Sequence, residues 1–118
     1  MKRENLLMVA DSERCADMLY AVGMFVPDPF IYLRVNGTPH IVMSDLEIDR
    51  ARQEAPHCRV VSLSRLQRKL RSQGNKAVSL PQVVRLLLRS KGFNKAVVPH
   101  GFPLGLARDL RQLRPAFG

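Results

Sequence analysis

Carboxylates and imidazoles are the groups from which this chain could build a catalytic or metal centre, and their spacing suits neither. His40, His57 and His100 show no HxxxH or HExxH pattern, the kind of spacing that turns two imidazoles toward one zinc ion. His57 and Cys58 are adjacent, so on a strand they point to opposite faces. A two-metal hydrolytic centre needs several converging carboxylates. Asp11 and Glu47 could begin such a set, yet the apolar run Cys58–Leu63 brings no acid to complete it, and Asp109 is the one carboxylate after Glu54. Nucleophile motifs are missing too: there is no G-x-S-x-G, and neither Cys15 nor Cys58 has a readable histidine partner. Gly101-Phe-Pro-Leu-Gly105 places two glycines before a helix, but Pro103 withholds an amide donor, so it reads as a turn and not a phosphate cradle. These residues point away from catalysis by this chain.

Charge is the second chemical resource. The net charge is +9, and it is unevenly placed. Residues 1–54 hold nine acids against six Lys/Arg, whereas residues 55–118 hold one acid against thirteen. Such asymmetry points to an anionic partner, whether nucleic acid, a membrane surface or an acidic protein face; the alternative is a solvated helix surface that happens to use arginine. Arg65, Arg68, Lys69 and Arg71 cluster on one expected helix, and Arg85 and Arg89 are four apart on another. None of the five Phe or two Tyr is interleaved with them, so stacking on single-stranded nucleic acid is unsupported.

The elements that must position these groups follow from apolar periodicity. Leu6–Ala10 reads as a strand. Asp11 or Ser12 then caps a helix with Cys15, Met18, Leu19 and Val22 on one stripe, ended by Gly23. Pro27-Asp28-Pro29 is a stiff connector, because each proline fixes φ and biases its predecessor away from helix. Phe30–Val35 and His40–Met43 flank Asn36-Gly37, the strongest short hairpin signal. Ser44-Asp-Leu-Glu47 has capping-box spacing and predicts a helix over 45–54 with Leu46, Ile48, Ala51 and Ala55 inward. A strand at Cys58–Leu63 precedes a helix opened by Ser64, with Leu66 and Leu70 inward. Ser79-Leu-Pro81 starts the next helix, its apolar face Leu80, Val83, Val84, Leu87 and Leu88 opposite Gln82, Arg85 and Arg89. Ala96–Pro99 reads as a last strand, and Pro103 opens a final helix with Leu106, Ala107, Leu110 and Leu113 inward. The alternation predicts a mostly parallel sheet covered on both faces, with one antiparallel strand forced by the hairpin.

At 118 residues and 46% hydrophobic content the chain can bury one real core, so a single domain is expected over 1–118. Cys15 and Cys58 read as small buried hydrophobes, with a disulfide between them as the alternative. No apolar run approaches the roughly 20 residues of a membrane helix. Leu6–Ala10 is too short for a signal-peptide core and is interrupted by Asp11, so the expected setting is cytoplasmic.

Three landmarks in order carry a family resemblance. They are Asp11 to Tyr20 leading into Tyr20-Ala-Val-Gly23, the stretch from Pro27-Asp28-Pro29 through the hairpin to Ala51, and Val97-Val-Pro-His-Gly-Phe-Pro103 before a leucine-rich helix. Together they resemble the amino-terminal domain of the creatinase/aminopeptidase P metallopeptidases, which include the Xaa-Pro-cleaving prolidases, over about Asn5 to Leu113. The resemblance implies an α/β fold: a three-layer α/β/α domain with a mixed, mostly parallel five-stranded sheet and one β-hairpin, in a ribonuclease-H-like layout. It also implies a truncation before a carboxy-terminal catalytic domain that binds two divalent metal ions. No catalytic residue, cofactor or metal ligand carries over to this chain. The implied work is oligomer assembly and gating of a neighbouring active site, with Pro27, Asp28 and Pro29 as the gating loop. Arg65, Arg68, Lys69, Arg71, Arg85 and Arg89 would be the docking surface. Implied partners are the parent's catalytic domain and further copies of the chain. Peptide substrate is reached only through the parent enzyme, without specific nucleic acid or membrane. The alternative, from another class, is a small basic binding module for nucleic acid or an acidic protein.

Overall fold

The computed structural model describes residues 5–76, 78–92, 96–99 and 102–112. Strands β1 (Leu6–Ala10), β2 (Phe30–Val35), β3 (Thr38–Met43) and β4 (Arg59–Ser62) form a sheet in the order β1-β2-β3-β4. Helices α1 (Ala16–Val22), α2 (Ile48–Glu54), α3 (Leu63–Ser72), α4 (Leu80–Ser90) and α5 (Leu104–Gln112) complete the described elements. β2 pairs antiparallel with both β1 and β3, while β3 pairs parallel with β4. Strands β1, β3 and β4 therefore run one way and only β2 is reversed. The direction count matches the expectation of one antiparallel strand, but β2 lies inside the sheet, so two of its three ladders are antiparallel.

The expected fifth strand at Ala96–Pro99 is corrected to a single parallel bridge between Val97 and Leu6. Val97 N–H donates to the Asn5 carbonyl at 2.7 Å, and Leu7 N–H donates to the Val97 carbonyl at 2.8 Å. The next rung of a parallel ladder would take its amide from residue 99. Pro99 has none, so pairing stops.

Alternation along the strands divides the core in two. Leu7, Val9, Ile31, Leu33 and Val42 face one side, where they meet Leu70 of α3, Val83, Val84 and Leu87 of α4, and Leu106 and Leu110 of α5. Met8, Phe30, Tyr32, Ile41 and Met43 face the other, against Met18 and Val22 of α1 and Ala51 of α2. Each such side chain contributes roughly 1.5–3 kcal/mol when fully buried. The three-layer arrangement thus follows from strands that are apolar on both faces.

Helix beginnings differ from the sequence reading. Asp11 Oδ2 accepts from Arg14 N–H at 2.8 Å and closes a turn, so α1 starts only after Cys15. Ser44 to Glu47 forms another turn, closed by Glu47 N–H to the Ser44 carbonyl at 2.9 Å, and α2 begins at Ile48. Leu46 consequently points outward and is 93% exposed. β4 ends at Ser62, whose hydroxyl caps α3 by accepting from Arg65 N–H at 3.2 Å, where Ser64 was the expected opener. Leu80, expected inward, is exposed at the first turn of α4. His100, Gly101 and Leu113 lie outside the described residues.

Two buried polar side chains hold backbone in place, Ser12 at the loop before β2 and His40 within the β2–β3 hairpin. The Ser12 hydroxyl donates to the Met24 carbonyl and accepts from Val26 N–H at 2.7 Å, while Ser12 N–H donates to the Val26 carbonyl at 3.1 Å. His40 Nδ1 lies 3.3 Å from the Leu33 carbonyl and 3.0 Å from that of Thr38, so Nδ1 carries the proton. Burial, then Lys91 with a smaller push from Arg59, lowers the His40 pKa.

Ser12→Ala strands a buried carbonyl and a buried amide, which costs about 1–3 kcal/mol. The expected result is a Tm several degrees lower; a melt within a degree of the parent would show that the loop holds without this hydroxyl. For His40, the unfolded chain binds more protons between the lowered folded pKa and the ordinary imidazole value of about 6.5. Stability should therefore rise with pH through that window and fall on acidification. His40→Gln should flatten this part of the Tm-against-pH curve, and an unchanged slope would assign it to other groups.

Candidate functional site

The parallel strands β1, β3 and β4 all end at the edge of the sheet where β2 begins. Open α/β sheets place ligands in crevices beyond such carboxyl ends. A groove of about 270 Å³ lies there, lined by residues that span Val26 to Ile31, Val42 to Glu47, Leu63 and Leu80. Its floor is apolar, from Phe30, Ile31, Val42 and Met43, which also belong to the two cores. Its rim carries Pro27, Asp28 and Pro29 on one side and the Ser44–Glu47 turn on another. The expected gating loop is therefore one wall of this groove.

The loop's base is held from two directions. Ser12 clamps Met24 and Val26 through the bonds given above. From α2, the Arg50 guanidinium donates to the Phe25 carbonyl at 2.7 Å. The same guanidinium binds Glu47 Oε2 at 2.6 Å and Glu54 Oε2 at 3.4 Å. Glu47 is thus spoken for by a cation, and Asp28 is left as the exposed carboxylate of the wall. Among the described residues the groove's lining includes Ser44 but no histidine, cysteine or lysine. It can hold an apolar group and meet a cation at the rim.

Other candidate groups are scattered. Asp45 accepts from the Ser64 hydroxyl at 2.9 Å, and His57 Nε2 sits 2.9 Å from the Ala21 carbonyl. Both cysteines are free thiols; Cys58 is buried beneath α1 and α2, which raises its pKa, and Cys15 packs at the margin of the same core. Among the described residues no group of three or more His, Cys, Asp or Glu could hold a metal ion. No helix among them is long and apolar enough to cross a membrane.

The cations occupy the opposite layer from α1 and α2. Arg65, Arg68, Lys69 and Arg71 of α3 and Arg89 of α4 are exposed. Arg85 differs from the expectation: it is half-buried, and its Nε is buried without a hydrogen-bond partner. The groove itself was invisible in the sequence, because its lining comes from four separated segments. The leucines on its rim, Leu46 and Leu80, are exposed, although helical periodicity predicts that they face inward.

No protein-family model matches the sequence, and no curated protein matches it. Among solved structures, the prolidase from Pyrococcus furiosus superposes with a TM-score of 0.58 over 97% of this chain at 9% sequence identity. The chain spans 27% of the length of that protein. The likeness is one of fold: an α/β domain with a mixed sheet and helices on both faces.

Leu46 at 93% exposure and Leu80 at 41% contribute little to folding. Replacing both by Ser should leave Tm nearly unchanged, as surface substitutions do, and should weaken uptake of an apolar fluorescent probe. A large loss of Tm would show instead that the rim is part of the core.

Proposed function

We propose that this chain is the non-catalytic amino-terminal domain of a metal-dependent Xaa-Pro peptidase of the aminopeptidase P and prolidase type. In this reading it serves oligomer assembly and gates a neighbouring active site. The observation that carries the reading is the fold likeness to prolidase over 97% of this chain but 27% of that one. A match of that shape suits one domain of a larger enzyme.

The two divalent ions and the hydrolytic step would then belong to a second, cytoplasmic domain of the parent. Pro27, Asp28 and Pro29 would narrow access to the metal site of a neighbouring subunit, favouring short peptides. The exposed cations of α3 and α4 would meet an acidic face of the catalytic domain or of a sister copy. A basic binding module is the second reading, and the same cationic layer favours it.

The isolated chain should hydrolyse no Xaa-Pro peptide with or without Mn²⁺, Co²⁺ or Zn²⁺, and its affinity for DNA should collapse by ~0.2 M salt without sequence preference. Turnover that co-purifies with the chain would overturn the non-catalytic assignment. Submicromolar DNA binding at that salt, lost on Arg65→Glu with Arg71→Glu, would favour the binding module.

A further inference from the structure

The carboxy-terminal end of α3 and the middle of α4 enclose a second cleft, about 130 Å³ in volume. Leu70 and Leu86 form its apolar walls, and its polar lining includes Asn75, Gln82, Arg85 and Arg89. Among the described residues no carboxylate lines it, and none occurs in the sequence between Glu54 and Asp109. Arg85 and Arg89 stand one helical turn apart with no ion pair among the described residues. Arg85 Nε is buried with no hydrogen-bond partner among the described residues. A buried guanidinium N–H without an acceptor is costly, and natural structures normally satisfy it.

The two amides beside it are oriented by their own bonds. Gln82 Oε1 accepts from Ser79 N–H at 2.9 Å and from the Ser79 hydroxyl at 3.0 Å. Gln82 Nε2 donates to Asn75 Oδ1 at 3.1 Å, and Asn75 Nδ2 donates to the Leu70 carbonyl at 2.9 Å. Both amide oxygens are therefore occupied as acceptors, whereas each NH2 keeps a second hydrogen. Two guanidiniums and two amide NH2 groups make the lining rich in free donors. From these observations we infer that the α3–α4 cleft is a binding site for a phosphate-class oxyanion.

The chemistry favours that ligand over the alternatives. Guanidinium forks bind phosphate oxygens in pairs, which lysine cannot do. A tetrahedral oxyanion presents enough acceptors for donors from several directions, and a planar carboxylate presents two oxygens. Burial, with Arg89 adding its repulsion, also lowers the Arg85 pKa, a tension that a bound anion would relieve. The assignment is independent of the peptidase reading. It concerns two of the six cations of the expected docking surface and gives them a defined small ligand instead of a diffuse charge.

The test follows the Arg85 Nε–H resonance and the Tm of the whole chain during titration with inorganic phosphate. Sodium chloride of matched ionic strength is the reference. Saturable one-to-one shifts of Arg85 Nε–H, with Tm raised by roughly 3 °C or more near saturation, are expected from linkage. Arg85→Gln and Arg89→Gln should each weaken binding at least about tenfold, whereas Arg65→Gln, which removes the same charge outside the cleft, should not. Arms with glycerol phosphate and dimethyl phosphate tell free phosphate from a phosphoryl group on a larger molecule. Any of these that saturates supports the site. Equal responses to chloride or acetate, or equal losses in Arg65→Gln and Arg85→Gln, would overturn it.

Discussion

Because Asn36 and Gly37 both adopt positive φ, at 50° and 84°, β2 and β3 are joined by a two-residue turn whose twist suits antiparallel strands. That turn sets Val35 opposite Thr38, and with it Leu33 opposite His40 and Ile31 opposite Val42. The register matters more here than in a sheet with one wet face. Both faces of β2 and β3 are buried, so a slip by one residue would exchange the residues assigned to the two helix layers. Leu33 and Ile31 must meet α4, and Tyr32 and Phe30 must meet the other layer. The placement of every helix, and of the groove at the strand ends, rests on this pairing.

The same connectivity sorts charge by layer. The first half of the chain, rich in acids, supplies α1 and α2; the second half, with one acid, supplies α3, α4 and α5. An asymmetry along the sequence therefore becomes an asymmetry across the sheet. The arginines on the acidic side are partly neutralised where they stand: Arg50 meets Glu47 and Glu54, and Arg52 lies 3.8 Å from Asp49. On the basic side no ion pair forms among the described residues. Each exposed pair is worth little to stability, so the contrast bears on association and not on folding.

How much of this was legible in the sequence depended on whether the deciding contacts were local. The hairpin could be read because two adjacent residues determine it. The start of α4 could be read for the same reason, and Gln82 does reach back to Ser79. Ser44-Asp-Leu-Glu47 has equivalent spacing and behaves otherwise, because the Glu47 carboxylate is taken by Arg50. The fifth strand failed through a single missing amide at Pro99. The candidate groove was beyond any local pattern, since its walls come from residues up to 54 positions apart. Stiffness marks its proline-flanked wall only as a connector, and periodicity turns the exposed rim leucines Leu46 and Leu80 inward.

Stiffness at that wall has a second source that the prolines do not provide. A rigid segment on a loose base would still swing. Here the chain enters the loop through Met24 and Val26, both fastened to Ser12, and through Phe25, whose carbonyl is held by Arg50. Ser12 follows β1, and Arg50 sits within α2, so the loop is referenced to the sheet and to a helix at once. Loops held this way lose little further entropy when a ligand or partner arrives. The Asp28 backbone is consequently held at the wall of a groove with an apolar floor, and its side chain is exposed. The groove thus sets a stiff acidic wall beside two exposed leucines, an arrangement that the prolines alone would not hold in place.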